Sequence, residues 1–135
     1  MIHVIMGLKG SGKTKKLIDS VNATAATATG VVVCIEYGNK LTYDVKSTVR
    51  LVSSKEYGIS NSCMLKGLLS GLHAGNYDIT HVYIDNLYKT IGNDRAAAEA
   101  FILWCAEFAK VNNMEITVTV SDDPALASEE VKKFL

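Results

Sequence analysis

Eight residues near the start of the chain, Gly7-Leu8-Lys9-Gly10-Ser11-Gly12-Lys13-Thr14, have the types and spacing to hold a row of phosphates. They fit the pattern G-x-x-x-x-G-K-[ST] without a gap. A glycine-rich turn of this kind wraps tightly enough for several backbone N–H groups to point at one centre. A helix starting at Lys13 would add its positive end to the same centre. Lys13 would reach the terminal phosphates, and the Thr14 hydroxyl would hold a magnesium ion. Two carboxylates could complete such chemistry. Asp85 closes the run Ile79-Thr80-His81-Val82-Tyr83-Ile84-Asp85. From a strand beside the loop it would reach the metal directly or through water. Glu36 closes the run Val31-Val32-Val33-Cys34-Ile35-Glu36. In open parallel sheets the carboxyl ends of the strands form the ligand crevice, which gives a carboxylate there a possible role.

These residues need strands and helices to aim them. Ile2-His3-Val4-Ile5-Met6 reads as a short apolar strand before the loop, and residues from Lys13 to about Thr29 read as a helix with Leu17, Ile18 and Val21 inward. The small residues 22–29 permit either a thin helix end lying close to a sheet or a frayed turn, with Gly30 as terminator. The unbroken apolar, β-branched run at 31–35 predicts a strand covered on both faces. Residues 37–48 predict a turn at Gly38-Asn39 and leave room for a short helix over 41–46; residues 49–53 predict a short outer strand. Asn61 or Ser62 can cap a helix with Met64, Leu65, Leu68, Leu69 and Leu72 inward. After the strand ending at Asp85, residues 86–92 predict a loop over the crevice, and Asn93 or Asp94 caps a helix to about Val111. Met114 to Val120 predicts a fifth strand, followed by Ser121 and a last helix opened by Asp123-Pro124.

Alternating strands and helices of this length argue for one α/β domain over residues 1–135, with helices on both faces of a parallel sheet. The chain is 48 % apolar and 21 % charged, with a formal net charge of zero. That balance describes a folding chain and gives no indication of nucleic acid or an anionic membrane as partner. The cysteines Cys34, Cys63 and Cys105 are three and widely spaced. They read as buried thiols of a reducing compartment and do not form a zinc cluster. No leader-like or membrane-spanning run is read in the sequence, so the expected location is cytoplasmic.

The loop, Glu36, Asp85 and the strand–helix order resemble the core of the RecA/KaiC-like branch of the phosphate-loop ATPases, over roughly residues 1–123. The resemblance implies a three-layer α/β/α fold with a five-stranded, mainly parallel sheet. With strands near 2–6, 31–36, 49–53, 79–85 and 114–120 numbered in chain order, it implies the order 5-1-4-3-2. It implies ATP and Mg2+ as ligands. Residues Gly7 to Thr14 would bind the phosphates, Thr14 and Asp85 would hold the metal, Glu36 would activate the attacking water, and Ser121 would sense the terminal phosphate. Many relatives carry a glutamate after the aspartate; this chain has Asn86, whose amide can orient water but not accept its proton. Stabilising charge would come from Arg95 of a neighbouring copy in a homo-oligomer, or from Lys9 or Lys89. Bacterial-type thymidine kinases share a small phosphate-loop core, but their second acidic residue and zinc-binding paired cysteines are not found here.

Three readings follow from these residues. The first is ATP binding with slow hydrolysis to ADP and phosphate. The second is a nucleotide-dependent switch acting on a protein partner without useful turnover. The third is a small-molecule kinase, which would need a cavity over the phosphate end built from residues 37–48 and 86–93. No guanine-specific Asx-Lys-x-Asp motif occurs, which leans the base toward adenine.

Overall fold

A computed structural model describes residues 1–135. Five strands are joined by five helices: β1 (Ile2–Gly7), α1 (Lys13–Thr27), β2 (Val31–Glu36), β3 (Arg50–Ser53), α2 (Ser62–Gly75), β4 (Ile79–Ile84), α3 (Leu87–Ile91), α4 (Arg95–Val111), β5 (Glu115–Ser121) and α5 (Glu129–Lys132). All strand pairs are parallel. The fold is α/β, and a helix layer on each side of the sheet is consistent with a three-layer α/β/α arrangement.

The strand order is β1-β5-β4-β2-β3, which corrects the expected 5-1-4-3-2. β5 lies between β1 and β4, so the strand leading into Asp85 is two places from the glycine-loop strand. β2 is interior and β3 is the edge, the reverse of the expected placement. The apolar pattern explains the second correction. Val32 to Ile35 are buried on both faces and need neighbours on both sides, whereas four-residue β3 alternates and leaves Arg50 exposed. The crossovers explain the first. α1 carries the chain from β1 past β5 and β4 to β2 over one face; α2 and α4 bring it back inward over the other.

The larger core lies under α2, α4 and α5. Leu65, Leu69, Phe101, Ile102 and Cys105 meet Val33, Ile35, Val82, Ile84, Ile116 and Val118 there. The smaller core lies under α1, where Leu17 and Val21 meet Val32, Cys34 and Tyr83. The segment between β2 and β3 adds Leu41, Val45 and Val49 to that core as turns, without the short helix that 41–46 could have formed. The small residues at the end of α1 are helical and close to the sheet. The Tyr83 hydroxyl lies 2.7 Å from Thr24 Oγ1 and 3.2 Å from Ser20 Oγ. Gly30 has a related reason to be small: a Cβ there would stand 2.3 Å from Thr80 Cγ2 and 2.6 Å from the Asp78 carbonyl oxygen.

Two local expectations change. Residues 87–91 form a short helix where a loop was expected, and the last helix is two pieces, a 3-10 turn at Pro124–Leu126 and then α5. Asn61, Asp94 and Asp123 each accept a backbone N–H as helix caps. Cys34 and Cys105 are buried as expected, but Cys63 is exposed. No helix is long and apolar enough to cross a membrane. Phe101 is fully buried between α4 and the sheet, and Phe101→Ala should cost about 3–5 kcal/mol in urea denaturation. A loss below about 1 kcal/mol would show that this face is not the core.

Candidate functional site

The carboxyl ends of β1, β4 and β5 open onto a cleft of about 350 Å³. The loop after β1 forms one wall, with Lys9, Gly10, Gly12, Lys13 and Thr14 lining it. Asp85, Asn86, Thr119 and Ser121 form the other. No apolar side chain lines the cleft, so it suits a charged, hydrated ligand.

The loop owes its shape to local sequence. Gly10 and Gly12 have φ of +83° and +87°, in the left-handed region that side chains avoid, and Gly12 caps α1. The turn closes with the Ser11 N–H on the Leu8 carbonyl at 3.1 Å. Lys13 is buried, and its ammonium donates to the same carbonyl at 3.0 Å. Gly7 stands directly behind the turn, where a Cβ would come within 2.5 Å of Ser11 Oγ. Gly7, Leu8 and Ser11 thus build the back of the loop, and the other motif residues face the cleft.

Asp85 is brought to this loop from a strand two places away. Thr14, in the first turn of α1, places Oγ1 3.2 Å and 3.4 Å from the Asp85 carboxylate oxygens. Thr119, on the intervening strand β5, donates its hydroxyl to Asp85 Oδ1 at 2.6 Å. The same Thr119 oxygen accepts the Asn86 N–H at 2.7 Å. The Asp85 N–H donates to the Ile35 carbonyl at 2.9 Å, which fixes its backbone to β2 as well. Thr119 was not singled out from sequence. The available signal was the alternation Thr117, Thr119 in an apolar strand, where both threonines are buried.

Asn86 has φ of +52°. Asparagine tolerates the left-handed region far better than a long acidic side chain does. The residue type at this position therefore follows from the sharp turn between β4 and α3. Ser121 ends β5 in register with Gly7 and reaches the cleft beside Lys9.

Glu36 does not line this first cleft. It lies in an adjoining cleft of about 380 Å³ that shares Thr14, Asp85 and Asn86 with the first. Its carboxylate is buried and already engaged: Oε1 accepts the Lys40 N–H at 2.8 Å and Oε2 accepts the Leu41 N–H at 3.1 Å. Glu36 thereby folds the segment after β2 back over the sheet. Burial first, and then the Asp85 and Glu36 carboxylates, push the Cys34 thiol up to about 12, so Cys34 is a neutral core residue at ordinary pH.

Arg95 is held within its own chain. Its Nε and Nη2 donate to the two Asp122 oxygens at 2.9 Å and 3.0 Å, and the Tyr88 hydroxyl donates to the same carboxylate. These bonds lie beside Ser121, on the rim of the crevice. To serve a neighbouring copy, Arg95 would first have to leave Asp122. Burial and the bond to Asp122 raise the Tyr88 phenol to about 12. Hydrogen bonds from Arg95 and then Tyr88 hold the Asp122 carboxyl well below the usual carboxylate range.

The donor set fits a magnesium–polyphosphate ligand. A hydroxyl and a carboxylate are hard oxygen donors, and magnesium takes one or two carboxylates together with phosphates and water. No group of three His, Cys, Asp or Glu side chains exists to form an all-protein metal cage. No protein-family model and no curated protein matches the chain.

The Asp122 latch has a defined pH signature. A folded-state pKa below the unfolded value stabilises above the unfolded value and is lost as pH falls toward the folded one. The stability gap between the parent and Asp122→Asn should be constant above pH ~5 and shrink progressively below pH ~4. Urea denaturation across that range measures it, and a gap that does not change with acid would contradict the latch.

Proposed function

We propose that the chain is a small phosphate-loop nucleoside triphosphatase that binds Mg-ATP and hydrolyses it slowly to ADP and phosphate. The observation that carries this reading is the meeting of Thr14 with Asp85, 3.2 Å apart across 71 residues, at the first helical turn after a glycine loop of the required pattern. A hydroxyl and a carboxylate converging there have a shared purpose if a metal lies against both.

Lys13 would turn from the Leu8 carbonyl to the terminal phosphates, exchanging one oxygen acceptor for another of higher charge. The backbone N–H groups of residues 8–13, other than that of Ser11, which is held by the Leu8 carbonyl, would face the phosphate oxygens. Bound magnesium would screen phosphate charge and orient the terminal group. Thr119 would keep the Asp85 carboxylate pointed at the cleft. Glu36 would take the proton of the attacking water from the adjoining cleft, and Asn86, which lines both clefts, would orient that water. Ser121 would donate to the terminal phosphate from the end of β5.

The switch reading has specific support. Glu36 is bound to two backbone N–H groups and Arg95 to Asp122. Both groups that would serve turnover are already engaged, which suits a protein that holds nucleotide and waits for a partner.

Phosphate release under saturating Mg-ATP tests the reading. Asp85→Asn should weaken magnesium-dependent ATP affinity by about tenfold or more, which corresponds to about 1.4 kcal/mol. Glu36→Gln should lower phosphate release by about a hundredfold or more with ATP still bound. Equal release from Glu36→Gln and the parent would remove Glu36 from the chemistry, and unchanged affinity in Asp85→Asn would remove the metal site. No measurable release from a parent that binds Mg-ATP would favour the switch.

A further inference from the structure

We infer that the second cleft, beside Thr14 and Asp85, is an acceptor subsite for a small phosphomonoester, and that the chain transfers the terminal phosphate of ATP to it in preference to water. This rests on the reading that the glycine-loop cleft takes the nucleoside triphosphate. The cleft holds about 380 Å³, enough for a small metabolite and far more than an attacking water needs.

Its chemistry is cationic. Lys40, Lys55 and Lys89 line it, and none of them forms an ion pair elsewhere in the molecule. Lys55 Nζ stands 5.8 Å from the centre of the Tyr37 ring, which keeps that ammonium at the rim. The two carboxylates of the same cleft are hydrogen-bonded, Glu36 to two backbone N–H groups and Asp85 to two threonine hydroxyls, and the three lysines outnumber them. Only Tyr37 and Leu41 contribute apolar surface, so a greasy ligand has little to bury. Three exposed ammonium groups suit a dianionic tetrahedral head group.

A phosphomonoester oxygen attacks without giving up a proton, so transfer to it does not call on Glu36, whose oxygens each accept one backbone N–H. In the step, the acceptor oxygen forms a bond to the terminal phosphorus of ATP. The bond from that phosphorus to the bridging oxygen breaks, and its electron pair leaves on ADP. Charge balances with no proton transferred. Slow hydrolysis is then the leak that occurs when water occupies the acceptor cleft.

The experiment uses the full chain in two stages. First, protein saturated with magnesium and a non-hydrolysable ATP analogue is titrated calorimetrically with inorganic phosphate, a hexose phosphate and a nucleoside monophosphate. Saturable binding of inorganic phosphate and of at least one phosphomonoester is expected. In the Lys40→Gln/Lys55→Gln variant that binding should weaken by about tenfold or more, with analogue affinity kept within about twofold. Absence of phosphate binding to the analogue-loaded protein, or binding indifferent to both lysines, overturns the subsite. Failure of the analogue itself to bind is a separate result, and removes the triphosphate reading and this proposal together. Second, ATP replaces the analogue, and phosphorus NMR follows the bound phosphomonoester. A new phosphoanhydride equal in amount to ADP is expected, and ADP with only free phosphate overturns transfer. The hexose and nucleoside arms distinguish the two sources of the shared phosphate chemistry.

Discussion

The carboxyl end of the sheet depends on the Asp85 carboxylate being held from two sides. Thr119 donates to it from the neighbouring strand at 2.6 Å, and Thr14 approaches it from the helix above at 3.2 Å. A carboxylate at a strand end loses side-chain freedom when it is aimed, and hydrogen bonds from the buried Thr119 and the exposed Thr14 hydroxyls offset that cost in the folded protein. Thr119 is buried and Thr14 is fixed in the first turn of α1, so neither donor has far to move. The direction of the Asp85 carboxylate is therefore set from β5 and α1 at once.

The strand order makes this possible. Because β5 lies between β1 and β4, the glycine loop and Asp85 are separated by one strand, and a polar crevice opens between them. α1 crosses over β5 and β4 on its way to β2, which carries Thr14 to the carboxylate. β2, next to β4, brings Glu36 beside the same crevice and lets its carboxylate gather the following segment into the wall of a second cleft. A motif of eight residues, two strand-end carboxylates and one buried hydroxyl thus become neighbours through topology.

Much of this was readable from residue types. The glycine loop, the helix after it and the strands at 31–36 and 79–85 have strong local patterns, and the structure draws them to within a residue or two of the expected bounds. The strand order was not readable, because it depends on which face each crossover takes, and apolar periodicity does not encode that choice. Thr119 escaped notice because threonine in a strand satisfies β-propensity whether or not its hydroxyl has a task. The engagement of Glu36 was invisible for a different reason: its partners are backbone N–H groups, which leave no mark in side-chain identity. Helix α3, at five residues, is too short to show a period. At Asn86 the sequence shows only that a glutamate is missing, and the φ of +52° gives asparagine a positive reason to be there.

We propose that the Thr14–Asp85 pair and the glycine loop together grip a magnesium-bound polyphosphate. Isothermal titration of the folded chain with ATP, with and without magnesium, tests it most directly. One-to-one binding in the micromolar range is expected with magnesium, and a loss of about tenfold or more without it. Well-folded protein that takes up no nucleotide at millimolar ATP, or binds it with the same affinity in chelator, would contradict the account.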